Sequence, residues 1–400
     1  MLSSSPPPHY EACVRPLQDI RVLDLTRLLP GPFATLVLAD LGASVDKIED
    51  AGGGDYLRHM PPMVAGESAA FQLLNRGKRS AVLDLKKPEA KAAFLRIVRG
   101  YDVLFEQFRP GVLDRLGLGH DLLRREHPRL VVCALTGYGQ TGVLAHRAGH
   151  DINYLARGGI LGAQGPAGGA PQVPATQLAD ISGGMWSVIS ILAALRERDR
   201  TGQGCVLDIA MVDGILPFAS MAVSAALAGE RPRRGDEHLS GGIAAYHTYL
   251  SKDGHPISLG ALEPKFWMSF CAGVGIEPSM DGLMPGAHQP ELKAKLAAVF
   301  AGKTRAEWEA FAAERDCCLE PAIDPSEIAS DPHLASRSLF FTLDTPRGPI
   351  PQVRLPVTPR DITPAPPPKK GEHTRAILGE AGFTDDEIAT LLQTGAARED

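Results

Sequence analysis

Short apolar runs alternate with longer amphipathic stretches along the first half of the chain. The run "RVLDLT" (Arg21–Thr26) is rich in β-forming residues, "PGPFATLVLADLG" begins with a turn and predicts a helix that ends at Gly42, and "SVDKIE" (Ser44–Glu49) follows. A strand, a helix and a second strand at this spacing predict a βαβ unit with parallel strands. The alternation continues through "RSAVLDLK", "KPEAKAAFLRIVRG", "DVLFEQF" and "RLVVCALT", and predicts a doubly wound α/β layer.

The pattern changes in the second half of the chain. A hairpin with Asp253-Gly254 at its turn is predicted to precede helical segments that break near Gly302. Further on, a proline-rich stretch leads into two short helices, the second begun by a capping box from Thr384 to Glu387. The stretch "RPRRGDEHLSGG" (Arg231–Gly242) is polar and glycine-rich, as is typical of a linker. The predicted division is therefore a disordered tail (1–17), a large domain (18–210), a linker (211–242), a smaller α+β domain (243–338) and a final segment (339–400).

Composition and charge narrow the class of protein. The chain has 400 residues, of which 44% are hydrophobic and 22% charged, as is typical of a globular protein. A net charge of -6 argues against nucleic acid as the main partner. No apolar run is expected to reach transmembrane length, since the longest, around Met185 to Leu195, suits a buried helix, and the first residues lack the pattern of a signal peptide. The six cysteines form no CxxC pair, so we expect reduced thiols and a cytoplasmic location.

Two motifs with an obvious chemical interpretation are weak in this sequence. The segment "GYGQTG" (Gly137–Gly142) fits GxGxxG, but Gly149 interrupts the residues that should form the next helix, and no acidic strand end follows. The pattern therefore favours a plain turn over a nicotinamide nucleotide site. His146 and His150 are four residues apart, but Gly149 also argues against a helix that could join them as metal ligands. No metal site is expected.

Asp180 stands at the start of a long apolar helix in "LADISGGMWSVISILAAL" (Leu178–Leu195). One interpretation is structural, because Asp is a favoured N-cap. The other is functional, because the unpaired N–H groups and positive dipole end of a helix start stabilise negative charge. In that case Gly183 and Gly184 are candidate donors to a developing oxyanion.

Basic side chains cluster near the ends of two predicted strands. The default interpretation is a solvated basic surface, and the alternative is a site for a phosphate-rich ligand, which parallel sheets bind at the carboxyl ends of their strands. The basic residues in question are Arg76, Lys78, Arg79, Lys86 and Lys87 in the first cluster and Arg109 and Arg115 in the second.

Several ordered motifs together resemble the family III CoA-transferases, which include both transferases and racemases. The motifs are "RVLDLTRLLPGPFATLVLADLGASVDKIE", "NRGKRSAVLDLK", "FRPGVLDRLGLG", "LTGYGQTG", "GHDINYLARGGIL", "GQGCVLDIAMVDG" and "GEHTRAILGEAGF". The resemblance covers nearly the whole chain past residue 18. It implies a Rossmann-like large domain, a smaller α+β domain, a final segment that returns to the large domain, and an interlocked homodimer.

The resemblance also implies an acyl-CoA substrate, with no cofactor beyond its CoA moiety and no membrane partner. Asp180 matches the nucleophile of the transferases and an acid/base of the racemases. His150 matches the second racemase base, since "GHDINY" has the racemase form where transferases usually have Tyr. Glu263 in "GALEPKFW" matches a racemase acid carried on the small domain, which reaches His150 across the dimer. Asp151 is expected to orient the loop or to accept a hydrogen bond.

For the CoA moiety, the resemblance implies contacts from two segments. The residues are Leu83, Asp84, Leu85 and Lys86 in the first and Gln107, Phe108, Arg109 and Arg115 in the second. One departure concerns Asp50, which stands where close racemases have an Arg after the second strand, and Arg58 is a candidate substitute. We expect a racemase or epimerase of 2-methylacyl-CoA thioesters, in which His150 and Asp180 exchange the proton α to the thioester through an enolate. The alternative is a CoA-transferase with an aspartyl-CoA intermediate on Asp180.

Overall fold

The computed structural model describes residues 15–399. Most of the predicted tail, residues 1–14, lies outside this range. Its last residues belong to the folded chain, because Leu17 is buried and its N–H donates to the carbonyl oxygen of Leu41 at 3.1 Å. The tail prediction therefore extended too far, since this anchor joins residues distant in the chain.

The secondary structure of the described residues combines strands, α-helices and short 3₁₀ turns. The strands are β1 (Arg21–Asp24), β2 (Ser44–Glu49), β3 (Met63–Val64), β4 (Glu67–Ser68), β5 (Lys78–Leu83), β6 (Val103–Glu106), β7 (Val131–Thr136), β8 (Val206–Ala210), β9 (Tyr246–Leu250), β10 (Pro256–Gly260), β11 (Leu319–Pro321), β12 (Phe340–Thr345), β13 (Gly348–Val353) and β14 (Ala397–Arg398). The helices are α1 (Pro30–Asp40), α2 (Ala69–Asn75), α3 (Pro88–Ile97), α4 (Val112–Leu116), α5 (His120–Glu126), α6 (Asp151–Arg157), α7 (Ile160–Ala163), α8 (Leu178–Thr201), α9 (Met211–Gly214), α10 (Ser220–Leu227), α11 (Pro264–Val274), α12 (Gln289–Phe300), α13 (Arg305–Glu314), α14 (Pro332–Ser336), α15 (Thr374–Glu380) and α16 (Asp385–Gln393). The 3₁₀ turns are Tyr56–His59, Val98–Gly100, Leu216–Ala219, Met280–Leu283 and Pro325–Glu327.

A seven-stranded sheet forms the centre of the first structural unit. Its strand order is β14-β5-β2-β1-β6-β7-β8, and all neighbours are parallel except β14, which runs antiparallel to β5. Without β14 this is the 3-2-1-4-5-6 order of dinucleotide-binding folds, in which ligands bind at the carboxyl ends of the strands. The predicted parallel α/β layer is confirmed.

The chain divides into two compact units. The first contains residues 15–155, 177–215 and 333–399, and the second contains Ala156–Thr176 and Leu216–Pro332. Within the first unit, the final segment contributes Ile377, Leu378, Ile388 and Leu391 to the apolar core that packs beside the sheet.

The predicted domain boundaries differ from this division. Residues 156–176 were expected in the large domain and residues 216–242 in a linker, yet both belong to the second unit. The physical reason is a set of hydrogen bonds, because the Arg234 guanidinium donates to the carbonyl oxygens of Gly162, at 2.9 Å, and Gly169. The linker also contains helix α10. Residues 333–338 are part of the first unit rather than the second.

The second unit is built on a three-stranded antiparallel sheet in the order β11-β10-β9. The predicted hairpin is present, and Gly254 at its turn has a φ of 80°, a left-handed conformation that suits glycine. The break between α12 and α13 also lies where the glycine at position 302 predicted it. Stacked aromatic rings, including Tyr249 on Phe300 at 4.5 Å, pack in the core of this unit.

Helix α8 contradicts the expectation that no apolar stretch reaches transmembrane length. Its 24 residues include a stretch of 18 with a mean hydropathy of 1.6, so by length and composition alone it could cross a membrane. The serines and glycines within it lower the hydropathy only slightly. Half of that stretch is buried in the protein, and α8 packs on α1 and β7. Core helices pass the same test, so we interpret α8 as a core helix.

Candidate functional site

The helix start that carries Asp180 is capped by a residue from another segment. Oδ1 of Asp151 accepts hydrogen bonds from the backbone N–H groups of Ala179, at 2.7 Å, and Asp180, at 3.1 Å. Gln177, at the N-cap position, makes no side-chain capping bond, and Asp180 lies inside the first turn. The structural interpretation of Asp180 as the cap is therefore wrong, because Asp151 fills that role. The hydrogen bond expected of Asp151 is present.

The pKa of Asp180 is unusually high for an aspartate. Burial, together with the nearby negative charge of Asp151, raises the pKa of Asp180 to about 7. Burial also raises the pKa of Asp151, although its two N–H donors oppose that change. A carboxyl group that titrates near neutral pH can serve as either a proton donor or a proton acceptor.

Gly183 and Gly184 do not supply the expected oxyanion donors. Both lie in the second turn of α8, where the N–H groups bond to carbonyls four residues earlier. A Cβ on Gly183 would lie 2.7 Å from Cγ of Met211, and one on Gly184 would lie 2.7 Å from the carbonyl oxygen of Pro30. These glycines therefore let α8 pack closely against its neighbours.

Tyr154 explains the glycine beside His150. A Cβ on Gly149 would lie 2.7 Å from the Tyr154 ring, and the Tyr154 hydroxyl donates to the carbonyl oxygen of Gly149 at 2.6 Å. The backbone N–H of His150 donates to Oδ1 of Asn153 at 3.0 Å. The His150 side chain is exposed, and its imidazole has no hydrogen-bond partner among residues 15–399. The loop is thus held by its backbone while the imidazole is free to meet a substrate.

Glu263 lies in the second unit, immediately before helix α11. It occupies the N-cap position, but its carboxylate accepts no capping hydrogen bond and its side chain is exposed. Among residues 15–399, its backbone carbonyl accepts the N–H groups of Phe266 and Trp267, and its carboxylate has no hydrogen-bond partner. The carboxylate is therefore available for an interaction beyond its own helix.

A cleft of about 510 Å³ opens in the first unit at the carboxyl ends of β1, β2, β5 and β6. Its lining includes five of the eight residues predicted to bind CoA, namely Leu83, Asp84, Leu85, Lys86 and Phe108. The other three, Gln107, Arg109 and Arg115, are outside the lining, although their neighbours Phe108 and Leu116 belong to it. This location is where a parallel sheet of this order binds its ligands.

Glu106 holds the segment that carries Gln107, Phe108 and Arg109. Its carboxylate accepts the N–H of Phe108 at 2.6 Å, and its other oxygen lies 3.1 Å from Nε2 of His120. Hydrogen bonding to Glu106 raises the pKa of His120. The segment therefore leaves β6 with a fixed path.

The cleft lining also contains polar and charged residues that were not predicted as ligands. Arg27 and Tyr56 lie together, with the guanidinium carbon 4.6 Å from the ring centre. Asp50 lines the cleft, and so does Arg398, from the last strand of the described chain. The position of Arg27 after β1 is a signal that sequence reasoning could have used. No local pattern predicts that Arg398 is near β5.

Arg58 does not replace the missing Arg at position 50. It is 5% exposed and donates two hydrogen bonds to Glu49, at 2.7 and 2.9 Å, and others to Glu67 and the carbonyl oxygen of Pro368. Burial alone would raise the pKa of Glu49, but Arg58 holds it down at about 2. The guanidinium is thus committed to protein partners.

Most of the first basic cluster is also structural. Arg76 is buried against Asp40, at 2.7 Å, and Lys78 is buried with hydrogen bonds to Asn75 and Thr35. Arg79 pairs with Asp46 at 2.7 Å, and Lys87 donates to the carbonyl oxygen of Thr394. Lys86 is the member of this cluster that lines the cleft.

The glycine-rich "GYGQTG" segment is a turn held by side chains. The N–H of Gly139 donates to Oγ1 of Thr136 at 2.9 Å, and the N–H of Gln140 donates to Asp208 at 3.0 Å. No helix begins between Gly142 and Asp151. Among residues 15–399, no group of three His, Cys, Asp or Glu side chains is placed to hold a metal ion.

Comparison with known proteins defines the class. Residues 17–374 match the family model of CoA-transferase family III, so the chain belongs to this family, as the motifs predicted. The chain is 39% identical over 379 residues to alpha-methylacyl-CoA racemase of Homo sapiens, covering 94% of this chain and 96% of that protein. It is 36% identical over 335 residues to acetyl-CoA:oxalate CoA-transferase of Acetobacter aceti, covering 82% and 85%. A CAIB/BAIF family protein from Brucella suis has a similar structure, with a TM-score of 0.79, 31% identity and coverage of 92% and 99%.

Proposed function

We propose that this protein is a racemase or epimerase of 2-methylacyl-CoA thioesters. The observation that carries the proposal is the hydrogen bonding of Asp151 to the N–H groups of Ala179 and Asp180. Because Asp151 directly follows His150, these bonds join the loop of the imidazole to the helix start of the carboxyl group. Two proton-transfer groups on neighbouring segments are what inversion at the α-carbon requires, because the proton is removed from one face and returned to the other.

In the proposed mechanism, His150 and Asp180 act on opposite faces of the α-carbon. One group removes the α-proton, the thioester becomes an enolate, and the other group returns a proton on the opposite face. For one epimer, neutral imidazole is the base and protonated Asp180 is the acid, and for the other epimer the roles reverse. The pKa of about 7 for Asp180 suits both roles near neutral pH. The positive end of the α8 dipole favours the negative charge that develops on the enolate.

The alternative is a CoA-transferase in which Asp180 forms an anhydride and then an aspartyl-CoA thioester. Transferases are among the relatives, at 36% identity and below, against 39% for the human racemase. His150 favours the racemase, because a transferase of this mechanism needs a nucleophilic carboxylate but no second base. The raised pKa of Asp180 points the same way, since a nucleophile must be ionised.

The CoA moiety is proposed to bind in the cleft at the carboxyl ends of the strands. Leu83, Asp84, Leu85, Lys86 and Phe108 line it, and the adjoining Gln107, Arg109 and Arg115 complete the site. No cofactor beyond the CoA of the substrate takes part in this proposal.

A homodimer is part of the proposal, with Glu263 of a second copy acting beside His150. A row of apolar side chains on α8 supports an interface, since Met185, Ile189 and Leu192 are 45%, 50% and 36% exposed. These residues recur at helical spacing on one side of the helix, as expected for a surface covered by another chain. We also propose a cytoplasmic location, which the five free cysteines of the described residues support.

The experiment that tests this function uses one pure epimer of a 2-methylacyl-CoA in heavy water. We expect deuterium at the α-carbon and a mixture of epimers with no acceptor acid present. His150→Ala should reduce the rate at which one epimer is converted to the other by about 10²–10⁴-fold, which is the typical contribution of a positioned acid or base. His146→Ala is the matched control, because His146 is also exposed and lies in the same loop. Transfer of CoA to an added carboxylate, with no α-exchange, would establish the transferase instead.

A further inference from the structure

Three cationic side chains in the cleft have no ion-pair partner among residues 15–399. They are Arg27, Lys86 and Arg398, and all three are exposed. The other cation of the lining, Lys47, is neutralised at 3.0 Å by Asp55. Unpaired cations that share one cleft are suited to a ligand with several phosphate charges.

Arg398 is held in place by its backbone rather than by its side chain. Strand β14 pairs with β5 so that Arg398 lies opposite Val82. Buried Thr374 reinforces the pairing, because its hydroxyl donates to the carbonyl oxygen of Arg398 at 2.7 Å and accepts the N–H of Val82 at 3.1 Å. The guanidinium is therefore presented to the cleft from a rigid strand.

The strand order places Arg398 at the far end of the site. Strand β14 is the edge of the sheet, and β7, which leads to the His150 loop and contacts α8, is five strands away. At about 4.8 Å per strand, this is roughly 24 Å. CoA is a long molecule with its thioester at one end and its 3′-phosphoadenosine at the other. A thioester beside Asp180 directs the adenosine end towards β14.

We propose that Arg398 binds the 3′-phosphate of the CoA moiety and selects for it. The inference rests on the proposed function, which supplies the CoA thioester. Lys86 and Arg27 follow β5 and β1, which are nearer to Asp180, and they face the diphosphate that lies between the ribose and the pantetheine. Arg398 is thus a specificity-determining residue that binds one particular phosphate.

The test measures binding of CoA and of 3′-dephospho-CoA to the full-length protein by titration calorimetry. We expect CoA to bind about 3- to 10-fold more tightly, the value of a charge-assisted contact at a partly open site. Arg398→Gln should weaken CoA binding by this factor and leave 3′-dephospho-CoA binding unchanged. Arg398→Lys should keep part of the preference.

Arg375→Gln is the matched control, because Arg375 is also exposed, lies near the end of the chain and pairs with Glu399 outside the cleft. It should leave both affinities unchanged. If Arg398→Gln lowers the affinity for CoA and for 3′-dephospho-CoA equally, or lowers neither, the inference is overturned. The proposed function would still be supported in that case by exchange of the α-proton. Absence of CoA binding in the unaltered protein would overturn both, so the two failures are distinguishable.

Discussion

Replacing Asp180 with Asn should stabilise the protein at alkaline pH while it abolishes racemisation. Asp180 is mostly buried, and its pKa lies at about 7 instead of 3.8. This difference corresponds to roughly 4 kcal/mol that folding loses whenever the carboxylate is ionised in the native state. Asn keeps the shape of the side chain without the charge. Because a buried amide also costs some free energy, we expect a gain of about 2–4 kcal/mol.

The difference in stability between Asp180→Asn and the unaltered protein depends on pH. A raised native pKa means that the folded protein binds the proton more tightly than the unfolded chain does. Between pH 4 and pH 7 the native state keeps a proton that the unfolded state has lost, so the penalty grows as pH rises through this range. The variant should therefore be no more stable than the unaltered protein near pH 4, and its stability advantage should be complete above pH 7.

The assay is urea unfolding of both proteins at matched protein concentration, at pH 5 and at pH 8. Asp385→Asn is the control, because Asp385 occupies the first turn of α16 but is exposed. Its charge favours the helix dipole, so the control should be slightly destabilised at pH 8. The reasoning is refuted if Asp180→Asn is no more stable than the unaltered protein at pH 8. It is also refuted if the gain in the free energy of unfolding is the same at pH 5 and at pH 8.

The remaining predictions concern catalysis and ligand binding. For racemisation of either epimer, kcat/KM should depend on pH as a bell-shaped curve, because neutral His150 with protonated Asp180 and protonated His150 with ionised Asp180 carry the same number of protons. A curve that rises with pH to a plateau would instead indicate that Asp180 acts as a nucleophilic carboxylate. His150→Ala should still exchange the α-proton of one epimer and Asp180→Asn that of the other, as measured by deuterium uptake, and exchange of both epimers by His150→Ala would make the histidine structural. Arg109→Ala should raise KM with little change in kcat, and a loss confined to kcat would contradict its placement near CoA. Asp50→Asn should tighten CoA binding about 2- to 5-fold, as measured by calorimetry, since a negative charge leaves the cleft, and unchanged affinity would show that Asp50 does not face the phosphates.

The sequence by itself determined the elements whose signals are local. Strand β2 spans Ser44–Glu49 as predicted, because it follows β1 and α1 at the spacing of a βαβ unit. The capping box at Thr384 and Glu387 is present, because both partners lie within four residues. The family was also recognisable, since it depends on ordered motifs and needs no contacts.

Tertiary structure alone decided which charged groups are available for chemistry. Asp151 caps a helix 28 residues further along the chain, and in doing so it displaces Asp180 from the role that its position predicted. Arg58 and Lys78 appeared accessible in sequence, but acidic and carbonyl partners from other segments bury them. Arg398 reaches the cleft because the last strand pairs with β5, more than 300 residues earlier. Periodicity and capping act over a few residues, whereas burial and charge pairing depend on distant segments that only folding brings together.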